Sequence, residues 1–175
     1  MIHFLAVLAV TMLAVPGQAI LDAGNRCLRE PFHRITPTNE LGEIVGPVDR
    51  RDWGCLGDQS HGRGRQTITL DGVPVPPPAD VCMKEAFPNP ATTQTALQYT
   101  LPEATWLSLV IYGRLGGGPK RVALVRTLAD GTFAAGVHQA LWDLNDDRGS
   151  GVPPGIYRAV LTVNGSSLCG DIQVP

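Results

Sequence analysis

Asp143, Asn145 and Asp147 occupy alternate positions in the run Asp143-Leu144-Asn145-Asp146-Asp147-Arg148-Gly149. Oxygen ligands at loop positions 1, 3 and 5 are how a calcium loop begins. Here the pattern then breaks. The glycine comes one place late, and Pro154 stands where such a loop puts its bidentate Glu at position 12. Asp and Asn also accept hydrogen bonds from nearby amides, which makes them turn residues. A strand-connecting turn is therefore expected, with calcium as the alternative.

Cys27, Cys55, Cys82 and Cys169 form a second set. Zinc sites need close pairs such as C-x2-C, whereas these cysteines are 28, 27 and 87 residues apart. A catalytic thiol needs a histidine and an orienting group. His33, His61 and His138 stand in no such arrangement. The chain shows no cofactor fingerprint and no converging base, nucleophile and ligand set, so neither an enzyme nor a cofactor is expected. A third set, Arg50, Arg51, Arg63 and Arg65 around Trp53, has the composition of a docking surface. Glu40, Glu43, Asp49, Asp52 and Asp58 largely cancel its charge, so a solvated loop is the competing reading.

Phe4–Val15 is an uncharged apolar run, followed by Pro16-Gly17-Gln18-Ala19. It is too short to cross roughly 30 Å of hydrocarbon as a helix. With Gly17 and Ala19 at −3 and −1 of a cut, it reads as a signal peptide cleaved after Ala19. The mature chain is then expected to be exported, with no transmembrane segment. Outside the cytosol, four cysteines read as two disulfides, with three possible connectivities.

The 175 residues include 20 Gly and 15 Pro, as suits a chain of many turns. Fourteen Lys+Arg against sixteen Asp+Glu give a net charge of −2, which excludes a general polyanion partner such as nucleic acid. Residues 71–80 (DGVPVPPPAD) read as a stiff proline-rich linker between a loop-rich segment, 20–70, and a structured domain, 81–175.

That domain has period two. Leu97, Tyr99 and Leu101 share one face of a strand over 95–101. Residues 107–112 (LSLVIY) can be covered on both faces. Further strands are expected over 121–128, 137–142, 156–163 and 166–174, in an all-β antiparallel sandwich. Trp106 and Trp142, in strand runs, are expected in its core. Asn164-Gly165 signals a two-residue type I′ hairpin. Its partners sum to 329, so Leu161 faces Leu168, Ala159 faces Gly170 and Tyr157 faces Ile172. Cys169 then lies on the other face with Arg158, Thr162, Asp171 and Gln173, and its partner should come from chain lying over the outside of the sheet. Cys82, at the domain entrance, is the expected partner, which leaves Cys27–Cys55.

Ala86-Phe87-Pro88-Asn89-Pro90-Ala91-Thr92, followed by Leu97-Gln98-Tyr99-Thr100-Leu101-Pro102-Glu103, resembles the opening of FlgD-type Ig-like domains. The likeness continues through Gly136-Val137-His138 to Trp142-Asp143, Asp146-Asp147-Arg148-Gly149 and Val152-Pro153-Pro154-Gly155-Ile156-Tyr157, covering about residues 84–174. Such domains are similar to C-terminal sorting domains of type IX secretion in bacteria. The resemblance implies an Ig-like sandwich of about seven strands used for attachment, assembly or sorting, with His138 a packed or capping side chain. The expectation is a secreted or cell-envelope binding protein whose partners are other envelope or secreted proteins. A sorting tag on a shortened exported protein, and a small-molecule binder or hydrolase accessory domain, are the alternatives. Oligomeric state is left open.

Overall fold

The computed structural model describes residues 26–32, 35–57, 78–114 and 122–175. The proposed signal peptide, His33, His61, Arg63, Arg65 and most of the proline-rich run lie outside the described residues. A single helical turn, α1 (Arg26–Arg29), precedes eight strands: β1 (Gly54–Cys55), β2 (Cys82–Met83), β3 (Thr95–Leu101), β4 (Thr105–Arg114), β5 (Val122–Phe133), β6 (Gly136–Trp142), β7 (Gly155–Val163) and β8 (Ser166–Val174). They form two antiparallel four-stranded sheets, ordered β1-β2-β3-β6 and β5-β4-β7-β8. The protein is an all-β sandwich.

Alternation builds the core. Leu97, Tyr99 and Leu101 of β3 meet Leu107, Leu109 and Ile111 of β4 and Tyr157, Ala159 and Leu161 of β7 between the sheets. The other face of β4 is covered too. Val110 and Tyr112, with Val160, pack beneath Cys27 and Phe32 of the preceding chain. Both faces of that run are buried at this end, where Leu109-Val110-Ile111-Tyr112 is apolar on both sides. The cover stops short of Trp106, which is 52% exposed opposite Thr132, while Trp142 is fully buried. The core expectation for Trp106 is therefore wrong: its side chain points to the outer face, beyond the reach of α1.

The β7–β8 hairpin has the expected register, from Val163↔Ser166 to Gly155↔Val174. Asn164 and Gly165 take φ of 49° and 78°, the left-handed pair that a type I′ turn requires. The strand expected over 121–128 extends to Phe133 as β5, with register shifts opposite Leu109/Val110 and Ile111/Tyr112.

Both disulfides differ from the expected pairing. Cys27 joins Cys169, and Cys55 joins Cys82. The partner of Cys169 does come from chain lying outside the sheet, but that chain is α1. Cys82 belongs instead to the opposite sheet, in register with Cys55 of β1 and Thr100 of β3. The described residues of the 20–70 segment pack onto the sandwich. They are loop-rich, yet they supply β1 to one sheet and Trp53 to the core.

Candidate interaction surface

Arg158 organises the junction between the preceding chain and the sandwich. β7 places it on the outer face, opposite Asp171 of β8. Arg158 Nε and Nη2 donate to the two Asp171 carboxylate oxygens at 2.6 and 2.8 Å, with both side chains buried. Nη1 donates to the carbonyls of Cys27 and Glu30, at 2.6 and 3.0 Å, and Nη2 also donates to that of Pro31 at 3.2 Å. These carbonyls lie in and just after α1, where a helix leaves acceptors without partners. The Phe32 ring lies 4.3 Å from the guanidinium carbon. All five guanidinium donors are thus used, two of them as a fork on the Asp171 carboxylate and three on backbone carbonyls.

The same chain seals the edge of the β5-β4-β7-β8 sheet. The Cys169 carbonyl accepts from Trp53 N–H, and the Asp171 N–H donates to Asp52 Oδ2. Asn89 Nδ2 donates to the Asp171 carbonyl, its Oδ1 accepts the Gln173 N–H, and the Gln173 carbonyl accepts from Ala91. Outward-facing backbone groups of an edge strand otherwise offer a template to another chain. Here they are occupied from Cys169 to Gln173. Burial and the neighbouring Asp171 push the Asp52 carboxyl up to about 7.

Trp53, a candidate for either a docking surface or a solvated loop, is buried. Its ring lies against Gly170, where an added Cβ would overlap the indole. Arg50 and Arg51 are exposed, but Trp53 is a core residue and so is not an exposed aromatic anchor for them; Arg63 and Arg65 lie outside the described residues. The Asp143–Gly149 run is a turn. Asp143 accepts the Asn145 N–H and side-chain amide, and the latter holds its carboxyl below the usual range. Asp147 caps the other edge of the same sheet: its N–H donates to the Val125 carbonyl and its Oδ1 accepts the Thr127 N–H. The Asp143 and Asp147 carboxylates are thus engaged as hydrogen-bond acceptors within the protein, and the Asn145 side-chain amide donates to Asp143 while its backbone carbonyl accepts from Trp142 Nε1. His138 packs on the Tyr99 ring at 5.3 Å and bonds the Ala134 carbonyl.

One exposed apolar surface lies elsewhere, on the loop over residues 39–48. Asn39 Oδ1 accepts the Leu41 and Glu43 N–H groups, and Thr38 bridges both Ile44 and Asn89. This framework presents Leu41 and Val45, 81% and 63% exposed, and the end of the same loop, Pro47 and Val48, borders an open groove of about 490 Å³. Ile35, Pro37, Pro47, Val48 and Pro90 line the groove, with Asp49 its one charged wall. Such a surface suits an apolar or extended partner, and it brings no base and nucleophile together. Sequence reasoning passed over it, because Leu41, Val45 and Val48 have no strand or helix period; their scatter among Gly and Pro was the available signal. No family model matches the chain, and no curated protein matches it.

Proposed function

We propose that this is an exported, non-enzymatic binding module that attaches to or assembles with other envelope or secreted proteins. The observation that carries this reading is the ordered apolar loop, Leu41 to Val48, displayed on a scaffold fixed by two disulfides. Disulfides persist in oxidising compartments, which agrees with reading Phe4–Ala19 as a signal peptide. Among the described residues no helix is long and apolar enough to cross a membrane. The resemblance to FlgD-type Ig-like domains supports the same use.

A photo-crosslinking residue at Val45, compared with one at Thr132 in the full chain, tests it in the producing cell. Adducts with envelope or secreted proteins at position 45, and few at position 132, are expected. No adduct at position 45, or a chain retained in the cytosol, would overturn the reading.

A further inference from the structure

We infer that the β6 edge pairs with the same edge of a second copy, joining two sandwiches through one continuous sheet. The inference does not depend on which protein meets the 39–48 loop. It begins from a contrast among the sheet edges. β8 is sealed by Trp53, Asp52, Asn89 and Ala91, and β5 is capped by Asp147. β1 is two residues long. β6 runs for seven residues, Gly136–Trp142, in unbroken register with β3.

The outward groups of β6 can be identified. Ala96 of β3 exchanges both backbone hydrogen bonds with Phe87, and the Gln98 carbonyl accepts from Lys84. Antiparallel pairs alternate, so Thr95, Leu97, Tyr99 and Leu101 bond to β6, while Val137, Gln139 and Leu141 turn their N–H and C=O groups outward. None of these outward groups has a backbone partner among the described residues. Natural edges are normally guarded by charge, proline or a bulge. The β6 sequence, GVHQALW, contains no Lys, Arg, Asp, Glu or Pro.

The strand is also complementary to itself. A two-fold axis through Gln139 sets Val137 opposite Leu141 of the copy, and Leu141 opposite its Val137. The three outward residues of each strand then exchange about six hydrogen bonds. Val137 and Leu141, 39% and 56% exposed, meet as two apolar pairs flanking the axis. Gln139 already accepts from Gln98 through Oε1, which leaves its amide N–H groups to donate across the axis. No charge is brought against a like charge. A heterologous strand would find the same backbone groups but would have no reason to match this apolar–amide–apolar order.

Sedimentation velocity of the full chain from about 5 to about 500 µM tests the pairing, a range suited to a seam at the low end of interface sizes. A monomer–dimer equilibrium within that range is expected. Leu141→Lys places a charge on the edge without touching the core, and should weaken association at least tenfold. Gln139→Pro removes an outward N–H while leaving the bonds to β3, and should do the same. Unchanged thermal unfolding of Leu141→Lys at low concentration separates loss of pairing from loss of fold. A wild-type chain that stays monomeric throughout, or a dimer indifferent to both substitutions, would overturn the inference, even if the 39–48 loop still captures its partner.

Discussion

Arg158 and Asp171 stand directly opposite one another on β7 and β8, and their buried ion pair lies beneath the chain that precedes the sandwich. Removing one member of such a pair typically costs about 3–5 kcal/mol, because the other charge stays buried. Arg158→Met should therefore lose about that much in denaturant unfolding. It should also speed tryptic cleavage after Arg29, as three carbonyls around α1 lose their donor. Replacing Asp171 by Leu as well should recover a substantial part of the loss.

Asp52 gives the protein a pH dependence of definite sign. Its folded carboxyl titrates near 7 against an ordinary value of 3.8, raised first by burial and then by Asp171. The folded state holds the proton more tightly between those values, so stability falls as pH rises through the window. The penalty is absent below about 4 and complete above about 7, reaching at most about 4 kcal/mol. Asp52→Asn keeps an acceptor for the Asp171 N–H and removes the charge. Thermal unfolding at pH 5 and pH 8 should show the variant gaining on the wild type at the higher pH.

The two disulfides differ in what they close. Cys27–Cys169 spans 142 residues and Cys55–Cys82 spans 27, worth about 5 and about 3.5 kcal/mol in the chain-entropy model. Paired Cys→Ser variants should lose stability in that order, and only the first should release residues 26–32 to protease.

Gly170 accommodates the Trp53 indole. Gly170→Ala puts a methyl group into that ring and should cost about 1–3 kcal/mol, the usual cost of overpacking a core. Chemical denaturation of the single variant measures it.

Much of this architecture is written locally in the chain. Positions 158 and 171 sum to 329, so the Asn164-Gly165 turn alone implied that Arg158 faces Asp171; what it could not imply was the cover that buries them. The alternation of Leu97, Tyr99 and Leu101, and the two-faced apolarity of residues 107–112, likewise specified β3 and β4. The disulfide pairing was not legible. It depends on α1 returning over the outer face of β8 and on Cys82 entering the other sheet, both long-range events without a local signature. Trp53 misled for the same reason: flanking arginines suggested exposure, whereas its place is set by Gly170, 117 positions away. The Asn89 bridge to β8 and the Asp52 contact with the Asp171 N–H join residues 82 and 119 positions apart, and no periodicity announces them.

The most direct test of an exported, disulfide-clamped binding module is mass spectrometry, without reduction, of the chain isolated from its producing cell. The account predicts an N-terminus at Ile20, with cross-linked peptides joining Cys27 to Cys169 and Cys55 to Cys82. A chain beginning at Met1 with four free thiols would contradict it.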